Sequence, residues 1–398
     1  MATIYPVSET NVPSVHLEAE LFVLLAAMPP EQLEAVLSHL AAAFPTESLL
    51  VASPDAFRPD STPPLRMVTV PATNVSWTLN AADFVTAYQL AEKHKARAVL
   101  MLGAESSSLG SSALSDLAQA VMNPTTDLAV PSYQLPANAA LVNSAILYPL
   151  TRGLFGSRAR FPLAVDLGLS LRMSERLATA AHRFTAANQG DALLWPVNEA
   201  TVAGFAINQF DVGTRNLPQP AGPDLNTILP MVVGSLFSDI DAKAAFWQRP
   251  RPLPPLRDPV PRSQAALLDG ATDVAPMIQA FQLAYTNLYE IWSLVLPPNS
   301  LLGLKRLSVL DAAAFRMPDS LWARIVFDFL LAYRLRTINR GHLLGAMIPL
   351  YLAWVASHLN ITASGTEPER HIEAVAAAFD ADKSYLFSRW RWPDRFNP

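Results

Sequence analysis

Two carboxylates in apolar surroundings are the residues of this sequence with the most chemical interest. Glu105 follows the apolar run AVLML and stands among small polar residues in GAESSSLG. It is either a solvated loop acid or part of a ligand site. Asp166 lies between PLAV and LGLSL, where a carboxylate is costly to bury unless it is paired or hydrogen-bonded. It is either an active-site acid or one half of a structural salt bridge, for which three arginines are near in sequence: Arg160, Arg172 and Arg176.

Several other kinds of chemistry lack their residues here. The chain has no cysteine, which excludes disulfides, thiolate metal sites and cysteine nucleophiles. It has no phosphate loop with GK[ST], no GxGxxG after a strand and no GxSxG. The seven histidines show no metal-ligand spacing, and His342 is interpreted as a helix-start residue bonded to the backbone. A net charge of −5 without a basic stripe argues against a nucleic-acid partner.

The segments around the two acids are predicted as buried strands that alternate with helices. Strands are indicated at 20–27, 48–55, 66–72, 97–102 and 126–135, and helices at 28–44, 81–96, 112–123, 139–156 and 174–184. Apolar strands alternating with helices are typical of a mostly parallel sheet covered on both faces, so the predicted class is α/β. Ligands bind outside the carboxyl ends of such strands, where this sequence has SPD, PATN and GAES. Glu105 thus lies at an expected ligand site.

The rest of the chain is predicted to form a second, helical unit. We expect an α/β domain over 1–248, a proline-rich crossing segment over 249–265 and a helical C-terminal unit over 266–398. The stretch RPRPLPPLRDPVPR holds six prolines and no helical periodicity, as expected of a semi-rigid linker. Apolar residues make up 51% of the chain and charged residues 16%, which fits a large packed interior.

No membrane span is predicted, although one stretch is strongly apolar. Residues 325–359 are interrupted by Asp328, and the block 343–357 is shorter than the roughly twenty residues that a span needs. Two buried helices are the better interpretation, and peripheral membrane contact stays open. The N-terminus MATIYPVSETNVPS lacks a basic region followed by an apolar core, so it is not a signal peptide, and we expect a cytoplasmic location.

The order of these pieces resembles the nucleotide-sugar glycosyltransferases of the GT-A fold. It is most similar to the family-2-like bacterial branch related to mannosylglycerate and glucosyl-3-phosphoglycerate synthases. The segment NSAILYPLTRGLFGSRARFPLAVDLGLS (143–170) carries the most specific likeness. GFAINQFDVGTRNLP, DLNTILPMVVGSLF and HLLGAMIPLYLAWVASHL follow in the matching order. The resemblance implies a GT-A sheet, mixed and mostly parallel, with helices on both faces and a helical C-terminal unit.

The resemblance also implies a donor site in which two carboxylates hold Mg²⁺ or Mn²⁺ on the diphosphate of a sugar nucleotide. Their places read Gly103, Ala104 and Glu105 here, so one carboxylate is missing. An expected active-site Asp falls at Leu193, with Asp191 two residues away.

Other polar positions of the family are also changed. An expected metal-binding His falls at Leu217 and an expected Lys at Thr78, while Asn80, Asp55 and Asp166 are retained. The apolar framework is kept and polar ligands are lost, as a weakened or lost metal site would leave it.

Two hypotheses follow from this pattern. In the first, the chain transfers a sugar from a UDP- or GDP-sugar to an unknown acceptor. Glu105 then holds the metal, Asp166 and Asp191 are catalytic, and the donor is bound by four residues: Asp55, Asn80, Arg158 and Arg160. The two arginines would neutralise the diphosphate if metal is weak or absent.

In the second hypothesis, the chain is an inactive GT-A scaffold that binds a sugar, a nucleotide or a protein. The missing polar positions favour it. A homo-oligomer stays open under both hypotheses.

Overall fold

The computed structural model of this chain describes residues 19–54, 65–71, 77–136, 138–217, 225–249 and 273–393. These residues form one sheet and two hydrophobic cores. Asp55 and most of the predicted proline-rich segment lie outside the described residues.

The described residues contain a seven-stranded sheet in the order β3-β2-β1-β4-β6-β5-β7. Its strands are β1 Leu21–Leu25, β2 Leu49–Ser53, β3 Arg66–Thr69, β4 Ala98–Leu102, β5 Leu128–Gln134, β6 Asp166–Ser170 and β7 Ile207–Thr214. All neighbours are parallel except β6, which runs antiparallel to both β4 and β5. Every residue of β1, β2 and β4 is buried, as expected of strands covered on both faces.

Fifteen helices accompany the sheet in the described residues. Those of the first part are α1 Pro30–Ala43, α2 Ala81–Lys93, α3 Ser111–Met122, α4 Tyr148–Phe155, α5 Leu171–Thr185, α6 Pro196–Ala203, α7 Leu225–Ala242 and α8 Ala244–Trp247. The C-terminal part has α9 Ala275–Asn287, α10 Tyr289–Ser293, α11 Pro298–Ser308, α12 Asp319–Leu335, α13 Arg340–Ala363, α14 Pro368–Ala381 and α15 Lys383–Arg391. Short 3₁₀ turns cover Thr46–Ser48 and Ser106–Ser108, and a π turn, Asn143–Leu147, leads into α4.

Helices cover both faces of the sheet. α1 packs with α3 on one face, and α2 packs with α5 on the other. The predicted class, a mixed and mostly parallel α/β sheet with helices on both faces and a helical C-terminal unit, is confirmed.

Strand β6 was not among the strands predicted from the sequence. It approaches α3 closely at Gly168, where an added Cβ would overlap the Leu117 carbonyl and lie 3.1 Å from the Ala129 Cβ. A side chain at this point would force α3 away from the sheet.

The helices form a second core of their own around six buried tryptophans, Trp195, Trp247, Trp292, Trp322, Trp354 and Trp390. Helices α4 and α7 share this core with α9 to α15, so residues before and after the 249–265 segment pack together. The Trp322 indole, on α12, donates a hydrogen bond to the Ala145 carbonyl at 2.8 Å. The division into domains stays a prediction.

The apolar stretch 325–359 forms two helices, α12 and α13, as predicted. By length and composition alone, α13 could cross a bilayer, and among the described helices it is the one that passes this test. However, 72% of its most apolar window is buried inside the protein. The helix is therefore explained by the core that it forms.

A buried acid lies between α12 and α15. Asp328 is 1% exposed, and its carboxylate accepts hydrogen bonds from the Tyr385 hydroxyl at 2.7 and 3.0 Å. Arg389 lies 3.3 Å from the same carboxylate. Burial raises the pKa of Asp328 to about 7, because the loss of solvation outweighs the attraction of Arg389.

Candidate functional site

Asp166 lies at the carboxyl edge of the sheet, beside the end of β4. As the first residue of β6 it pairs with Leu102, the last residue of β4. Its carboxylate is fully buried and accepts hydrogen bonds from the Gly103 N–H at 3.2 Å and from the Tyr133 hydroxyl at 2.9 Å. The retained acid is therefore built into the junction of three strands, β4, β5 and β6.

The partner of Asp166 is Arg215, which the sequence analysis did not single out. The Nε and Nη2 groups of Arg215 donate to the two oxygens of Asp166 at 2.9 and 3.1 Å. Both side chains are 0% exposed. Burial opposes the charge of the guanidinium, but the attraction of Asp166 outweighs it, and the pKa of Arg215 is raised.

Arg215 also fixes the turn that carries Glu105. Its Nη2 donates to the Ala104 carbonyl at 2.7 Å, and its Nη1 donates to the Asn216 carbonyl and to the Ser108 hydroxyl. These bonds, with those to Asp166, engage all three nitrogens of the guanidinium. A buried arginine with this many partners links the ends of β4, β6 and β7.

The three arginines that are near Asp166 in sequence have other partners. Arg160 binds Glu369, Arg172 binds Asp127, and Arg176 binds Glu199. Asp166 therefore forms a structural salt bridge, which was one of its two interpretations. The expected partners were wrong, because the bridge is made by Arg215 and by none of the three arginines near it in sequence. Sheet order decides the pairing, because β7 adjoins β5 and β5 adjoins β6, which brings the end of β7 to the start of β6. The signal in the sequence was a basic residue just after a strand, in GTRNLP.

Glu105 has an unusual backbone conformation, and its carboxylate accepts a hydrogen bond from α1. Its φ is 61° and its ψ is 11°, in the left-handed region, which costs a residue with a Cβ roughly 1–2 kcal/mol. The Gln32 side-chain amide, in the first turn of α1, donates to its carboxylate at 2.9 Å. The side chain is half-buried between the ends of β1 and β4. Glu105 is held at the carboxyl edge in a conformation that the turn imposes.

Two of the four expected donor-binding residues, Asn80 and Arg160, are engaged in structural contacts. Asn80 caps α2, and its side chain accepts from the Ala82 and Asp83 N–H groups. Arg160 donates to both Glu369 oxygens at 3.0 and 3.1 Å and to the Ser144 hydroxyl at 2.9 Å. Arg158 is exposed on the loop before β6.

The region of Asp191 lies against the start of α2. Asp191 is exposed, and the carbonyls on either side of it, at Gly190 and Ala192, accept from the Ala82 and Ala81 N–H groups. Leu193, at the place expected for an acid, is 5% exposed and belongs to the helical core. Among the described residues, no hydrogen bond or ion pair joins Asp191 to Glu105 or Asp166. A catalytic role for Asp191 stays a prediction.

The donor atoms at this edge do not fit a divalent cation. Both oxygens of Asp166 accept hydrogen bonds from a buried cation, and Glu105 is bonded to an amide. Gly103 cannot be replaced by an acid without movement, since an added Cβ would lie 2.9 Å from the Val165 carbonyl. Across the described part of the chain, no group of three His, Cys, Asp or Glu side chains could hold a metal ion.

Comparison with known proteins gives matches among solved structures alone. No protein-family model and no curated protein matches the sequence. Glucosyl-3-phosphoglycerate synthase from Mycobacterium tuberculosis, in complex with Mn²⁺, UDP and glucosyl-3-phosphoglycerate, is 14% identical, with a TM-score of 0.35 over 56% of this chain and 79% of that one. The same enzyme with Mg²⁺ and UDP gives 14% and 0.36 over the same shares. A structure described as a mycobacterial protein gives 13% identity and a TM-score of 0.34, over 55% of this chain and 74% of that one. At this level of similarity, conclusions about the site rest on the residues of this chain.

Proposed function

We propose that this chain is a glycosyltransferase-like protein of the GT-A fold that binds a UDP- or GDP-sugar at the carboxyl edge of its sheet. The observation that carries the proposal is Glu105. A carboxylate held in a left-handed turn at the end of a central strand is strained, and such strain is retained mostly where a site requires it. Glu105 stands three residues beyond the end of β4, whereas the positive-φ residues Lys95, Asn188 and Arg336 follow the ends of helices.

The proposed donor lies across the ends of β1, β2 and β4. The base and ribose would contact the β1–α1 turn and Asp55. The diphosphate would face the first turn of α1, whose N-terminus has no side-chain cap. Pro29 and Pro30 have no N–H group, so Glu31 and Gln32 are the residues of this turn whose N–H groups would face the anion. Arg158 is the exposed cation of the loop before β6 and would complete the neutralisation.

In the proposed transfer, an acceptor hydroxyl oxygen bonds to the sugar carbon and the bond between the sugar and the diphosphate breaks, with its electron pair leaving on the diphosphate. The hydroxyl proton passes to a carboxylate of the site. Glu105 and Asp191 are the two acids that we propose to take part, since neither of them lies in a buried ion pair. Asp166 acts indirectly, because its oxygens are used to hold the turn. The acceptor, a cytoplasmic location, a homo-oligomer and peripheral membrane contact stay predictions.

A second candidate function is the inactive scaffold, and one observation favours it. The acid that the family resemblance makes catalytic, Asp166, is sealed against Arg215 at 0% exposure. With that acid sealed and no group of metal-binding acids or histidines among the described residues, the fold would bind a nucleotide sugar without turnover.

Calorimetric titration of the full chain with UDP, GDP, UDP-glucose and GDP-mannose tests the proposal. Each titration is run in EDTA and in Mn²⁺, on wild type, on Glu105→Gln and on Asp116→Asn. Asp116 is an exposed acid of α3 and serves as the matched control. We expect wild type to bind at least one of these nucleotides in EDTA. Glu105→Gln should change the dissociation constant by at least about fivefold, or roughly 1 kcal/mol, and Asp116→Asn should leave it unchanged.

Release of free nucleoside diphosphate from the bound donor then separates the two candidates. Release that depends on an added hydroxyl acceptor supports the transferase, and binding without release supports the scaffold. Failure of all four nucleotides to bind would refute the transferase and would restrict the scaffold to binding a sugar or a protein.

A further inference from the structure

The positive charge at the carboxyl edge of the sheet is a side chain of this protein, the Arg215 guanidinium. The Arg215 guanidinium lies among the Asp166 carboxylate, the Ala104 carbonyl and the Ser108 hydroxyl. A carboxylate, a carbonyl and a hydroxyl are also the kinds of oxygen that Mg²⁺ and Mn²⁺ take as ligands. Here they surround a guanidinium with 0% side-chain exposure.

The position of Arg215 also blocks a second cation. Two positive charges a few ångströms apart in a buried site repel by several kcal/mol even at an effective dielectric constant of about 20. Each carboxylate oxygen of Asp166 already accepts two hydrogen bonds: one from Gly103 and Arg215, the other from Tyr133 and Arg215. A divalent ion would have to displace the arginine to gain these ligands.

We propose that Arg215 is a built-in counter-cation that replaces a divalent metal at the ends of β4, β6 and β7, holding the Glu105 turn and keeping Mg²⁺ and Mn²⁺ out. The Asp166 carboxylate and the Ala104 carbonyl behind it form a latent metal site, exposed when the arginine is removed. Arg215 is a positioning residue, since it reaches the donor only through the turn. Its consequence for catalysis, donor binding that needs no metal, rests on the proposed function. The exclusion of metal by Arg215 does not rest on the proposed function.

The test is Mn²⁺ binding to the full chain, measured by the loss of the free-ion signal in electron paramagnetic resonance and by calorimetry with Mn²⁺ alone. The variants are Arg215→Met, which removes the charge, Arg215→Lys, which keeps it, and the double variant Arg215→Met with Asp166→Asn. Circular dichroism establishes that each is folded before titration.

We expect no Mn²⁺ binding by wild type or Arg215→Lys. Arg215→Met should bind Mn²⁺ at least about tenfold more tightly than the weakest binding that the titration of wild type would detect, because a buried carboxylate is left without a counter-ion. The double variant should lose this binding. A folded Arg215→Met that binds no Mn²⁺ would overturn the inference.

Wild type and Glu105→Gln decide the matter if Arg215→Met does not fold. If wild type binds Mn²⁺ and Glu105→Gln abolishes that binding, the inference is overturned. If neither wild type nor Arg215→Lys binds Mn²⁺, the inference is supported. The nucleotide titrations in EDTA are separate, so failure of the donor to bind removes the proposed function and leaves the metal result standing.

Discussion

The ion pair of Asp166 and Arg215 gives the sharpest prediction about stability. Replacing Asp166 by Asn keeps the volume of the side chain but removes its charge. Arg215 then stays buried beside an amide whose NH₂ group cannot accept a hydrogen bond. Breaking a buried pair from one side typically costs about 3–5 kcal/mol, since the remaining charge has no counter-ion. We expect a loss in this range for Asp166→Asn, and a similar loss for Arg215→Met.

The double variant Asp166→Asn with Arg215→Met removes both charges together. Its loss should be smaller than the sum of the two single losses by at least about 2 kcal/mol, because no unpaired charge is left. The exposed pair of Arg334 and Asp241, 3.5 Å apart with side chains 33% and 39% exposed, provides the control. Asp241→Asn should cost less than about 1 kcal/mol.

Urea unfolding followed by far-UV and near-UV circular dichroism measures these differences, with the two signals compared to detect separate unfolding of the sheet and the helical core. An Asp166→Asn variant within about 1 kcal/mol of wild type would refute the account of a buried charge pair. Additive losses in the double variant would refute the direct coupling of the two residues.

Two further predictions concern the rest of the fold. The pKa of Asp328 is raised from 3.8 to about 7, so the folded state binds the proton more tightly than the unfolded state, and the stability that this group contributes is lost as pH rises from about 4 to about 7. In urea unfolding of wild type, the free energy of unfolding should therefore fall by a few kcal/mol between pH 5 and pH 8, and the fall should be smaller in Asp328→Asn. An equal fall in the variant would contradict the burial argument. Gly168→Ala should destabilise the protein by more than about 2 kcal/mol, because the new Cβ overlaps the Leu117 carbonyl of α3. Gly110→Ala, which meets nothing within 4 Å, should stay within about 0.5 kcal/mol in the same assay, and equal losses in the two variants would refute the steric reason.

Residue patterns predicted the local elements well where strands were apolar throughout and helices amphipathic. The strand predicted at 97–102 is β4, Ala98–Leu102, and the helix predicted at 81–96 is α2, Ala81–Lys93. The helix predicted to end at Gly156 ends there, with that glycine at φ 73°. Such features depend on neighbours in the chain, which a sequence displays directly. β6 was missed because periodicity alone does not distinguish a strand from a buried helical segment in a short apolar run.

The sequence by itself determined the α/β class, the apolar strands and the position of Glu105 at the end of a central strand. It also limited Asp166 to two roles, because an acid in so apolar a run is either an active-site acid or one half of a structural salt bridge. Only the tertiary structure decided between them, since Arg215 stands 49 positions further along the chain and reaches Asp166 through the order of β6, β5 and β7. Pairing across strands depends on which strands are neighbours in the sheet, and sequence spacing carries no record of that order.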